Sequence, residues 1–129
     1  MPVSYSNPPS VHPTGGRYMH AALIEGASRR LVISGQVGQT TDGAVLAPEA
    51  QFAQALTNLR LVLEAHGMSL QNVVKTTAFL IDRAHLPAYR AARLAAFGDH
   101  VSASTLLFVA GLADPRFVFE IEAEAVEAP

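Results

Sequence analysis

Three carboxylates at every second position, Glu120, Glu122 and Glu124, are the part of the sequence most able to do chemistry. They stand in Arg116 to Val126, RFVFEIEAEAV, where Phe117, Phe119, Ile121, Ala123 and Ala125 fill one alternating set and Val118, Glu120, Glu122, Glu124 and Val126 the other. That period of two belongs to a half-buried strand. One face is then core, and the other carries acids roughly 6.6–6.8 Å apart along the strand. Such a carboxylate can serve as a base or can be an ordinary solvated or ion-paired strand residue. Glu122 and Glu124 read as the ordinary kind; Glu120 is the one expected near any chemistry.

Other chemistries find less support. There is no cysteine, so disulfides, thiolate nucleophiles and Cys-ligated zinc are excluded together. His12, His20, His66, His85 and His100 show no metal-ligand spacing, and no metal or cofactor is expected. Gly35-Gln36-Val37-Gly38 lacks the third glycine of a dinucleotide loop and leads into a turn. Ser104 and Thr105 have no His–Asp partner at recognisable spacing, which argues against a hydroxyl nucleophile. Lys75, within a strand, reads as an interface residue or the partner of a strand carboxylate; a buried Schiff-base lysine is the sharper alternative.

Whatever the site, the chain must position it within one domain: 129 residues, 50% of them hydrophobic, suit a single core. A net charge of −2 and the absence of any Lys/Arg run speak against nucleic acid as a partner. With no long apolar stretch and no signal-peptide pattern, the reading is a soluble, cytoplasmic protein without a membrane partner.

Residues 1–16, rich in proline and glycine, read as an extended arm, and 17–129 as the domain. Tyr18–Glu25 and Arg30–Gln36 flank Gly26–Arg29 as a hairpin would. Asp42-Gly43 is a reversal. Pro48 opens a helix with Phe52, Ala55, Leu56, Leu59, Val62 and Leu63 on one face and Gly67 as its cap. Val73–Ile81 is a strand, and a second helix runs from about Ala84 to Phe97 with Asp82 as cap. Strands at Ala103–Ala110 and Arg116–Val126 close the chain. The order predicts an α+β layer, two helices on one face of a mixed sheet, with the other face hidden in a closed homo-oligomer.

Several segments, in this order, resemble the RidA/YjgF (Rid) superfamily: Gly16-Arg17-Tyr18, Val32-Ile33-Ser34-Gly35-Gln36, Gln54–Leu59, Val73–Asp82 and Glu120-Ile121-Glu122-Ala123. The resemblance implies a chorismate-mutase-like α+β subunit, a homotrimer, and a small-metabolite cleft at each subunit interface. It implies that Glu120 holds a water for hydrolysis of a C=N bond, that Tyr18 and the Gly35 backbone line the cleft, and that Thr105 occupies a small polar position. In the deaminating members an arginine in a Pro-Ala-Arg-Ser segment grips a 2-imino acid. The matching stretch is Val101–Thr105, with Ala103 at the arginine. Losing two charge-assisted hydrogen bonds of roughly 1.5–3 kcal/mol each would weaken binding on the order of 100-fold or more. A family asparagine aligns with Arg90, and Arg90 or Arg93 is expected to restore a guanidinium. The implied activity is deamination of a small enamine or imine other than the usual 2-imino acids; the alternative is a non-catalytic ligand-binding or regulatory trimer.

Overall fold

The computed structural model describes residues 2–128. In chain order they form β1 (Val3–Ser6), β2 (Ala21–Ile24), β3 (Arg29–Val37), α1 (Pro48–Glu64), β4 (Val73–Leu80), α2 (Leu86–Phe97), β5 (Ala103–Phe108) and β6 (Phe119–Glu127). The main sheet has the order β3-β6-β4-β5, antiparallel except for β4 and β5. That parallel pair is joined through α2, since parallel neighbours need a crossover. The architecture is the expected α+β layer with a mixed sheet.

Both helices pack on the face that carries Phe119, Ile121, Ala123 and Ala125. Pro48 begins α1, where its missing N–H is no loss, with Glu49 in the first turn. Phe52, Ala55, Leu56, Leu59 and Leu63 are buried as the periodicity predicts, and Phe52 and Tyr89 close on Phe119 at ring-centroid distances of 5.1 and 5.3 Å. Gly67 and Gly98 follow the two helices with φ of 71° and 58°, the left-handed region that glycine adopts at little cost. Asp82 caps a 3₁₀ turn, Arg83–His85, leading into α2.

The first predicted hairpin is not formed. β2 pairs with β1, and β3 pairs with β6 instead. Beside β6, Leu31 and Ile33 meet Ala125 and Ala123 over the helices, and Arg29 and Arg30 reach Glu127 and Glu124. The four-residue β2, with Leu23 and Ile24 exposed, offers no such burial. The N-terminal arm therefore contributes a strand, tied down where the Tyr5 hydroxyl donates to the Val73 carbonyl at 3.1 Å. Met1 of the arm and Pro129 of the domain lie outside the described residues.

One buried polar side chain of α1 ties two loops together. Gln51, fully buried, donates from Nε2 to the carbonyls of Leu46 and Arg116 at 3.0 and 2.9 Å, and its Oε1 accepts from the Val118 N–H at 2.9 Å. That contact holds Val118 inward immediately before β6, although alternation places it on the acid face. Gln51→Leu strands one donor and two acceptors at about 1–3 kcal/mol each. A fall in unfolding free energy of at least about 3 kcal/mol in urea titration is expected, and a loss below about 1 kcal/mol would contradict it.

Candidate functional site

Glu120 lies on the sheet face turned away from the helices, opposite Val37 of β3 and Phe79 of β4. The β3–β6 register slips between Ile33 and Gln36, leaving Ser34-Gly35 as a bulge beside it. The bulge puts Gly35 against the carboxylate so closely that a Cβ there would stand 1.9 Å from Glu120 Oε2 and 2.6 Å from Cδ. This is a glycine required by close approach rather than by dihedral angle. Burial against the bulge pushes the Glu120 carboxyl above its ordinary range, and the Glu122 charge pushes the same way. Among the described residues no hydrogen bond or ion pair holds that carboxylate, whereas Glu124 and Glu127 are engaged by Arg30 and Arg29. A half-buried, raised and unpartnered acid is poised to accept a proton from a water.

On the same face β5 presents Ala103 and Thr105 opposite Lys75 and Thr77. Lys75 Nζ donates to Thr105 Oγ1 at 2.7 Å. The expected carboxylate partner of Lys75 is replaced by this hydroxyl, although Glu124 lies opposite it in the register.

A second locus opens at the β5 edge, where α2, β5 and the turn after the arm enclose a cleft of about 810 Å³. Tyr18, Arg90 and Thr105 all line it, with Arg93, Tyr89 and Ser104. Arg93 Nη2 donates to the Arg17 carbonyl at 2.8 Å, and the Met19 N–H donates to the Ser102 carbonyl at 2.9 Å, so Tyr18 is pinned from both sides. Burial raises the Tyr89 hydroxyl, while the Arg93 and Arg90 charges pull it down. Arg17, Arg90 and Arg93 face one carboxylate, Asp99, in the cleft wall. The surplus of guanidinium favours an anionic ligand.

The five residues expected at the site thus separate into two groups. Tyr18, Arg90 and Thr105 share the cleft, whereas Gly35 and Glu120 form a pair outside its walls. Ala103 shares the Glu120 face of the sheet and does not line the cleft. Arg17 and Asp99 belong to the cleft but are not marked as site residues by the sequence; a single arginine before Tyr18 and an acid after a helix-ending glycine give no spacing signal. No group of three or more His, Asp or Glu able to hold a metal occurs among the described residues, and no described helix is long and apolar enough to cross a membrane.

The family model for endoribonuclease L-PSP matches residues 10–127. The 2-iminobutanoate/2-iminopropanoate deaminase of Rattus norvegicus is 33% identical over 88% of this chain and 82% of its own. Protein HMF1 of Saccharomyces cerevisiae is 32% identical over 86% and 83%. Among solved structures, a Rid-family protein of unknown function from Yersinia pestis superposes with a TM-score of 0.86 at 28% identity, covering 98% of this chain and 99% of that one. The chain belongs to the endoribonuclease L-PSP family, the RidA/YjgF group.

Proposed function

We propose that the protein hydrolyses a small reactive enamine or imine to a carbonyl compound and ammonia, in clefts completed between neighbouring copies of the chain in a homotrimer. The observation that carries this reading is the separation just described. One group offers a cleft with tyrosine, hydroxyl and guanidinium; the other offers a carboxylate on its glycine bulge. A closed ring that covers the open sheet face would bring one copy's Glu120 to the next copy's cleft. That face carries Val32, 66% exposed, and Leu107, apolar surface that association would bury. The names of the relatives in the mammalian comparisons support the chemistry as imine deamination.

The steps follow from the groups present. Protonation of the C=N nitrogen makes its carbon electrophilic. Glu120 takes a proton from water as the oxygen attacks, giving a carbinolamine, returns it to nitrogen, and accepts the carbinolamine hydroxyl proton as the C–N bond breaks and ammonia leaves; that proton then passes to solvent. No cofactor is invoked. Tyr18 and Thr105 supply hydrogen bonds, the Gly35 backbone of the neighbouring copy walls the completed site beside Glu120, and Arg90 and Arg93 hold the anionic end of the substrate. With Ala103 in the clamp position, the substrate differs from the usual 2-imino acids, and its charge is gripped from α2. Solubility in the cytoplasm is part of this reading; a nucleic-acid substrate is not.

Removing one guanidinium should cost roughly 1.5–3 kcal/mol, or about 10- to 150-fold in affinity for an anionic ligand. Arg90→Ala and Arg93→Ala, titrated with a carboxylate ligand by calorimetry, should each show such a loss; parental affinity in both would defeat the grip. The alternative of a non-catalytic binding trimer is favoured by Ala103 itself. The test follows the decay of a panel of imines generated in situ, for the parent, Glu120→Ala and Ala103→Arg. Acceleration by the parent that Glu120→Ala loses supports the enzyme. Acceleration by Ala103→Arg alone supports the vacated site.

A further inference from the structure

Glu120 serves as the base, but a proton must first reach the imine nitrogen, and the arm of the protein holds a side chain placed to supply it. Tyr18, a wall of the cleft, has its hydroxyl 3.0 Å from His12 Nε2. His12 belongs to the proline-rich arm, six residues earlier, and no spacing in the sequence marks it out. The arm nevertheless holds it firmly. His20 Nε2 bonds the His12 carbonyl at 2.7 Å, and the His20 backbone N–H donates to Asn7 Oδ1 at 2.8 Å. The His20 ring stands edge-on to both His12 and Tyr18, at centroid distances of 4.8 and 5.5 Å. On the other side, the bonds from Arg93 to the Arg17 carbonyl and from Met19 to Ser102 fix the backbone around Tyr18. The result is one tyrosine in the cleft wall, its backbone anchored, with an imidazole on its hydroxyl.

We infer that His12 is a positioning residue that acts through Tyr18, completing a proton relay from solvent to the imine nitrogen. This rests on the hydrolase reading. The relay balances: the Tyr18 O–H proton passes to the nitrogen, protonated His12 passes its Nε2 proton to the Tyr18 oxygen, and the exposed His12 ring takes a proton back from water. No bond to carbon is made or broken by either residue, and nothing is oxidised or reduced. His20 is the other titratable ring against the pair, and its contacts to His12 hold that ring at the hydroxyl. A tyrosine alone would be a weak acid left uncompensated once it gave up its proton; an imidazole in hydrogen-bond reach removes that cost.

The decisive comparison is His12→Gln in two backgrounds, because glutamine keeps a donor for the Tyr18 oxygen but cannot surrender a proton. In the parent, His12→Gln should lower kcat for an imine that the parent hydrolyses by about 10²-fold or more, the range of one acid–base group, with KM little changed. In a Tyr18→Phe background the same substitution should have no further effect. An unchanged kcat in His12→Gln, or an equal loss with and without the Tyr18 hydroxyl, overturns the relay. The ¹⁵N resonances of the His12 ring supply a readout apart from turnover: Tyr18→Phe should shift Nε2, and an unmoved resonance also overturns the contact. Failure of the hydrolase reading is separate. It shows as no parental acceleration of any imine in the panel, or as acceleration that Glu120→Gln leaves undiminished, whatever the His12 ring resonances do.

Discussion

Glu120→Gln should lower the rate of imine hydrolysis by about 10²- to 10⁴-fold, the contribution of one positioned general base, while making the protein more stable at neutral pH. Both effects have one cause. The carboxylate is half buried against the Ser34-Gly35 bulge, beside Glu122, and has no hydrogen-bond or ion-pair partner among the described residues. In the unfolded chain this carboxyl loses its proton at the ordinary value; in the folded chain it does so only at higher pH. Between those two values the folded state holds the extra proton, so stability falls as pH rises through the window and stays lower above it. Glutamine has no such decline. The melting temperatures of Glu120→Gln and the parent should therefore separate as pH rises from below the ordinary glutamate range to neutrality, with the variant higher. The same raised value shifts the acid limb of the parental rate profile above that of an ordinary glutamate. Parallel melting curves at every pH would show that burial is not raising this group. Loss of activity with a fall in stability at neutral pH would mark Glu120 as a structural strand residue.

Gly35→Ala should abolish most of the activity at little expense in stability, an unusual pairing for a substitution in a strand. Its Cβ would fall 1.9 Å from Glu120 Oε2 and 2.8 Å from Cγ, so contact must be relieved. The atoms in the way are the mobile end of a glutamate that other side chains do not hold, and Gly35 is not among the positive-φ glycines. The carboxylate swings aside while the backbone stays. Displacing a reacting group by about 1 Å can cost on the order of 100-fold, and here the shift is larger. A drop in kcat of about 10²-fold or more is expected, with a change in unfolding free energy of about 1 kcal/mol or less. Gly38 is the internal control. A Cβ there would meet Cα and Cβ of Gln51 at 2.5 and 2.4 Å, and α1 would have to move. Gly38→Ala should destabilise the fold. If Gly35→Ala retains full turnover, the carboxylate does not work from the seat described.

The parts of the protein most legible in the sequence are those fixed by local periodicity. All five residues assigned to the inner face of the last strand, Phe117, Phe119, Ile121, Ala123 and Ala125, are buried, and α1 buries nearly all of the predicted stripe. Pairing is a different matter. Gly26–Arg29 has the composition of a hairpin turn, but which strand lies beside β3 is decided by what Leu31 and Ile33 can bury, a fact held about ninety residues away in Ala123 and Ala125. The division of the site was hidden for the same reason. Glu120 and Thr105 lie on β6 and β5, with β4 between them, so roughly 9.6 Å of sheet separates their strands. No spacing along the chain reports that separation. His12 was invisible because the arm's proline content describes what it cannot form, and its contacts come from the fold of β1 onto β2.

Each working site is proposed to take its carboxylate from one copy of the chain and its cleft from another. Co-expression of Glu120→Gln with a Tyr18→Phe/Arg90→Ala double variant tests it directly. Each alone should be nearly inactive. In mixed rings, roughly a quarter of the interfaces would pair an intact carboxylate with an intact cleft, and imine hydrolysis should return to about that fraction of the parental rate. A mixture no more active than the two variants assayed separately, in rings shown by mass to be mixed, would show that carboxylate and cleft do not meet between copies.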